Sequence, residues 1–95
     1  NLNFLNSLPS LIYFEFFDNN LEIIDRKWFN SLKNIEKIDI GSNKLKKIEN
    51  HSFQSLTNLK SLFIMNEKII SLNKNTFVGL NNLLMLNLEG NELTR

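Results

Sequence analysis

The sequence contains no cysteine, a single histidine and only three glycines in 95 residues. Without thiols, a disulfide scaffold, a cysteine-rich zinc site and a thiol nucleophile are excluded. One histidine excludes a His-clustered metal centre, and no Gly-rich phosphate loop or nucleophile-elbow motif is present. Charge of one sign is also lacking: 11 Lys+Arg face 10 Asp+Glu, for a net charge of +1. That balance has none of the basic footprint of a phosphate-backbone binder, so no nucleic-acid partner is expected. No apolar run reaches the roughly 18 residues of a membrane span, and no charged-then-apolar leader marks a signal peptide. No cofactor and no membrane insertion by this segment are expected. At 42% hydrophobic and 22% charged residues, the composition is that of a folded protein. The length allows one domain, with a core that would be marginal if built as a single globule.

What the sequence does have is a repeat. Leu8, Leu32, Leu56 and Leu80 are evenly spaced, 24 residues apart, with no insertion or deletion. The same step links Leu11, Ile35, Leu59 and Leu83; Phe14, Ile38, Leu62 and Leu86; and Phe16, Ile40, Ile64 and Leu88. It also links Leu21, Leu45, Ile69 and Leu93; Ile24, Ile48 and Leu72; and Leu5, Phe29, Phe53 and Phe77. These columns hold 27 positions, all apolar, in a chain less than half apolar. Such self-similarity signals one supersecondary unit per period, each too small to bury its own apolar face.

Within a unit, Ile35-x-x-Ile38-x-Ile40-x-x-Asn43-x-Leu45 alternates apolar and polar residues at its centre, as a half-buried strand does. Strands repeated in one direction must run parallel, with crossovers that are right-handed in nearly all cases. The return segments lack a long amphipathic helical pattern and are expected to be loops, turns and short 3₁₀ pieces.

This pattern resembles the leucine-rich repeat, in its 24-residue typical form with Phe in the return segment. The resemblance covers residues 8–95 as repeats 8–31, 32–55, 56–79 and an incomplete 80–95; residues 1–7 read as the tail of a preceding repeat. The resemblance implies an α/β fold: a curved right-handed solenoid with a parallel sheet on its concave face and a convex side of loops and 3₁₀ turns. It further implies an extracellular setting and a binding surface, as in the ectodomains of Toll-like and other innate-immune or adhesion proteins. Domain 1–95 is thus expected to be a single repeat segment. It opens inside one repeat and stops inside another with no polar caps, so a partial sequence, or end-to-end or dimeric self-association, is expected.

Asn19, Asn43 and Asn91 close the strands in three of the units. An amide both donates and accepts, so a stacked Asn column can serve the turn N–H and C=O groups that the sheet leaves over. Glu67 stands where this ladder calls for Asn. Since a carboxylate only accepts, the third rung is expected to deform, to hand the role to Asn66 or to swing Glu67 outward. Phe29, Phe53 and Phe77 are expected to stack as an aromatic spine. Ser7, Ser31, Ser55 and Gly79 form a small-residue column that suggests a tight backbone passage.

Between the buried columns, side chains point the other way. Tyr13, Glu15, Phe17, Lys37, Asp39, Ser61, Phe63, Met65, Met85 and Asn87 are therefore the candidate ligand-binding residues. Cross-strand neighbours are about 4.8 Å apart, so Phe63, Met65 and Met85 are expected to form one apolar patch. Tyr13 and Phe17 form another, interrupted by Gly41. Exposed aromatic and Met side chains suit a protein ligand. Glu15 and Asp39 are in-register carboxylates suited to a basic side chain of a ligand, although such pairs are more often simply solvated. Lys44, Lys46, Lys47 and Lys68 make a small basic cluster, read as a solvated face. Asn50-His51-Ser52 is the one N-x-Ser/Thr sequon, a candidate glycosylation site at Asn50.

The sequence thus points to a non-enzymatic protein-recognition segment of an extracellular receptor, immune or adhesion protein. The competing readings are a purely architectural spacer and an intracellular or bacterial repeat scaffold. Four strands of about 17 Å give a face of about 300 Å². A standard interface takes about 800 Å² per partner, so this face would meet part of a ligand.

Overall fold

The computed structural model describes residues 2–17, 20–41 and 44–93. Alternating residues make the strands. β1 (Tyr13–Phe17), β3 (Lys37–Gly41), β5 (Ser61–Met65) and β6 (Met85–Asn87) form one parallel sheet in the order β1-β3-β5-β6. Two shorter strands, β2 (Ile23–Ile24) and β4 (Lys47–Ile48), pair in parallel as a second sheet. Each strand is thus followed by a return that brings the chain back to run beside it in the same direction.

The register reproduces the repeat. Phe14 pairs with Ile38, Ile38 with Leu62, and Leu62 with Leu86, each step being 24 residues. Just before the strands, the carbonyls of Ile12, Glu36 and Lys60 accept the N–H groups of Glu36, Lys60 and Leu84, each at 2.8 Å. The hydrogen-bonding demand of one unit is therefore met by the next, as a stacked repeat requires.

Among the described residues there is no α-helix; the helical part of the expected class reduces to one 3₁₀ helix, Asn3–Ser7. The returns are turns and irregular backbone, in keeping with the absence of an amphipathic period. A leucine-rich-repeat sheet of parallel strands with almost no helix is the architecture these elements fit.

The core lies behind the four-stranded sheet. Ile35, Ile38, Ile40, Leu59, Leu62 and Ile64 are buried there with Leu32, Leu45 and Leu56. The aromatic column stacks as a file: Phe29 and Phe53 lie 5.7 Å apart between ring centroids at 17°, and Phe53 and Phe77 lie 6.1 Å apart at 11°. Burial is not uniform along the columns. Leu8, Leu86 and Leu93 are exposed while their equivalents at the centre are buried. Column identity alone therefore does not bury a residue: Leu5 and Ile24 are fully buried while Leu8, between them in sequence, is exposed.

The small-residue column has a steric cause at Gly79, which adopts φ +98° and lies so close to Gln54 that an added Cβ would overlap its backbone. A return passing this near its neighbour leaves no room for a side chain.

Candidate functional site

At the far end of the sheet, the described strand-ending amide is that of Asn91. Asn91 donates through Nδ2 to the carbonyls of Leu88 at 2.9 Å and Ile64 at 2.7 Å. Its Oδ1 accepts the N–H of Ile69 at 3.4 Å. Asn19 and Asn43 lie outside the described residues. Glu67 does not swing outward. It is buried, and its Oε1 accepts the Leu45 N–H at 3.0 Å. The third rung thus keeps the acceptor function, and the Ile64 carbonyl in that repeat is served from the next rung by Asn91. Asn66, beside it, takes the left-handed φ of +59° and turns the chain there.

A second amide ladder escaped the sequence reading. Asn58 Nδ2 donates to the Lys33 carbonyl at 2.8 Å, and Asn82 Nδ2 donates to the Thr57 carbonyl at 2.7 Å. With Asn34 these residues keep the 24-residue step, which was the available signal. Asn58 and Asn82 tie neighbouring returns together at the entry to the strands. There they line a groove of about 530 Å³ with Ile12, Glu36, Lys60 and Leu84. Glu36 and Lys60 form an ion pair across it at 3.5 Å, flanked by Ile12 and the 83% exposed Leu84.

The open face of the sheet carries all ten candidate ligand-binding residues. Three rows cross the strands: Tyr13, Lys37, Ser61 and Met85; Glu15, Asp39, Phe63 and Asn87; and Phe17, Gly41 and Met65. Tyr13, Glu15, Phe17 and Met85 are exposed, whereas Lys37, Asp39, Ser61, Phe63, Met65 and Asn87 are half-buried.

The interruption expected at Gly41 between the two apolar patches is partly filled. Gly41 leaves a gap that the Phe17 ring fills, with Cδ1 3.3 Å from where a Gly41 Cβ would stand. Lys37 joins the aromatic residues from the other side: its ammonium lies 5.1 Å from the Tyr13 ring centroid and 5.0 Å from that of Phe63. A cation held by two rings is a cation–π arrangement that periodicity cannot reveal, because it depends on the Lys37 rotamer, which meets Tyr13 directly opposite and Phe63 on the diagonal. Tyr13, Phe17 and Phe63 thus stand around a polar centre, with Lys37 between the rings of Tyr13 and Phe63.

At that centre Glu15 and Asp39 are directly opposed in register. The Asp39 carboxyl is raised above its ordinary value, mostly by burial; Lys37 pulls it back and Glu15 adds to the rise. The Tyr13 hydroxyl is pushed up to about 12, first by its hydrogen bond to Glu15, then by partial desolvation and the negative charges of Glu15 and Asp39. In this geometry two carboxylates share one aromatic frame.

The lateral side differs. Lys44, Lys46, Lys47 and Lys68 are all exposed, and Lys46 pairs with Glu22 at 3.6 Å. Asn50 is exposed in a turn beside a groove of about 540 Å³ that Arg26, Lys46 and Lys47 also line. Ser52 of the sequon is buried and donates to the Glu49 carbonyl at 2.7 Å. Among the described residues no group of three His, Cys, Asp or Glu side chains is placed to hold a metal ion, and no helix is long and apolar enough to cross a membrane.

A parallel sheet at a 24-residue step, the Asn91 amide bridging two repeats and a stacked Phe file together fit a repeat protein of the leucine-rich kind. The family model described as Leucine rich repeat matches residues 33–93, and the chain belongs to that family. No curated protein matches the chain. Repeats of this family commonly mediate protein–protein interaction and are typically non-enzymatic, which suggests protein partners.

Proposed function

We propose that the chain is a protein-recognition segment of the 24-residue typical subtype, contacting its ligand through the concave face of a curved solenoid. The observation that carries this is the set of large apolar side chains left on the open side of the sheet. Tyr13, Phe17 and Met85 remain 46%, 44% and 54% exposed there, beside Phe63 and Met65. Folding could have buried these side chains with the core columns, but alternation turns them outward. Aromatic and Met side chains so placed give large contact area and adaptable packing, the composition of an interface centre.

The setting is an extracellular one, a secreted protein or the ectodomain of a receptor, immune or adhesion protein. Two things support this: the resemblance of the Phe-containing repeat to Toll-like and adhesion ectodomains, and the exposed turn that carries Asn50 within its sequon. An N-glycan on Asn50, released by N-glycosidase from protein secreted by eukaryotic cells, is the expected finding.

The recognition reading is tested by screening the chain against an array of secreted and cell-surface proteins, alongside Tyr13→Ala, Phe63→Ala, Met65→Ala and Met85→Ala. Each variant should weaken the captured interaction while Trp28 fluorescence reports an intact fold. If every variant binds each captured protein as the parent does, the concave face is not the contact surface.

A further inference from the structure

The charges of the chain are segregated. The stretches 12–17, 36–41, 60–65 and 84–89 hold four acidic residues, Glu15, Glu36, Asp39 and Glu89, against two basic ones, Lys37 and Lys60, a net of −2 in a chain whose net charge is +1. Both of these cations are engaged: Lys60 pairs with Glu36 across the groove at 3.5 Å, and Lys37 lies between the rings of Tyr13 and Phe63. The sheet's open side is therefore acidic where the remainder of the protein is basic.

Its centre is built against electrostatics. Like charges directly opposed on neighbouring strands destabilise a sheet, yet Glu15 faces Asp39 in register. Folding also leaves Asp39 half-buried, which disfavours its charge further. Around the pair stand aromatic side chains. Phe63 is the next residue in the row, Phe17 follows Glu15 on the same strand and face, and its ring lies over Gly41. The same frame already holds a cation of its own, the Lys37 ammonium, at about 5 Å from two ring centroids.

We infer that the open face takes an extended segment of a protein partner that places an arginine over Glu15 and Asp39, with apolar neighbours against Phe17, Phe63 and Met85. Arginine fits each element. Its planar fork donates to two carboxylates at once, and its guanidinium stacks on aromatic rings. Its methylene stem covers apolar surface on the way in. The partner's charge relieves the Glu15–Asp39 repulsion, so part of the cost carried by the free face is returned on binding. An acidic partner meets that repulsion unrelieved and is rejected.

This inference rests on the recognition reading above, and the test separates the two. A phage-displayed library of random twelve-residue peptides is selected on the immobilised chain, and the selected peptides are measured against the parent, Glu15→Gln, Asp39→Asn and Phe63→Ala. The expected result is enrichment of Arg beside apolar residues, with affinity falling about tenfold or more in Asp39→Asn and Glu15→Gln. Phe63→Ala should lose binding, while all variants keep the parent's thermal melt within a few degrees. Peptides that need Phe63 but show no Arg enrichment and ignore both carboxylate variants overturn the arginine inference and leave recognition standing. Peptides indifferent to all three substitutions overturn both.

Discussion

The side-chain amide of Asn91 donates at 2.7 Å to the carbonyl of Ile64, 27 residues earlier and one repeat back. With its bond to Leu88 in its own repeat, one side chain closes two strands at once. Glu67, the equivalent position one repeat earlier, contributes an acceptor to Leu45 but has no donor to give. The ladder is thus asymmetric: the fourth rung does work that the third cannot.

That asymmetry predicts opposite effects for two conservative changes. Asn91→Asp keeps an acceptor for Ile69 but removes both donors and sets a carboxylate against two carbonyls. It should cost about 2 kcal/mol, a fall in Tm of about 10 °C for a chain of this size. Glu67→Gln keeps the acceptor for Leu45 and adds a donor, so its Tm should equal or exceed the parent's. Thermal melts by circular dichroism decide the matter, and a loss in Glu67→Gln as large as in Asn91→Asp would refute the account.

The aromatic file predicts a gradient. Phe53 is fully buried between Phe29 and Phe77, so Phe53→Ala opens a cavity walled by two rings and should cost about 4 kcal/mol. Phe77 is only half-buried and stacks on one described partner, Phe53. Phe77→Ala should therefore cost clearly less. Urea unfolding followed by Trp28 fluorescence measures both, and equal losses would mean that the file does not act as a stacked column.

The repeat, the strand positions and the inward and outward faces were legible because each depends on spacing alone. Ile38 and Leu62 had to align once the 24-residue step was seen, and Phe29, Phe53 and Phe77 with them. What stayed hidden depends on how side chains reach across that frame. Lys37 extends diagonally to Phe63, and the Phe17 ring folds over Gly41; neither follows from column membership. The buried place of Glu67 was hidden for a related reason, since its fate turned on a hydrogen bond to a neighbouring repeat. Asn34, Asn58 and Asn82 were legible in principle, but a polar column on an exposed edge is easily passed over when apolar columns carry the pattern.

Two glycines should behave differently on gaining a methyl group. Gly79 combines φ +98° with overlap of any Cβ on the Gln54 backbone, which cannot yield as a side chain can. Gly79→Ala should cost about 3 kcal/mol. At Gly41 the nearest atom to an added Cβ is Cδ1 of Phe17 at 3.3 Å, and that ring can turn aside. Gly41→Ala should cost less than about 1 kcal/mol. Should Gly79→Ala unfold at the parent's urea concentration, the close passage of the two returns is wrong.

Tyr13 is the chain's one tyrosine, so alkaline difference absorbance reads its ionisation without overlap from another phenol. Its pKa is pushed up to about 12 from the ordinary 10.0, chiefly because its hydroxyl donates to Glu15. A folded-state pKa above the unfolded value means that the neutral phenol contributes stability fully present below pH 10 and lost as pH rises toward 12. Folded parent protein should titrate near the higher value, and protein unfolded in urea near the lower one. Glu15→Gln should bring the folded midpoint back most of the way, and Asp39→Asn less, since the Asp39 charge is the smallest of the causes. Tyr13→Phe should lack the part of the alkaline loss of stability that Tyr13 ionisation causes. A folded parent that titrates at pH 10 would show that Glu15 does not accept from Tyr13, and the acidic, aromatic centre of the face would lose its geometry.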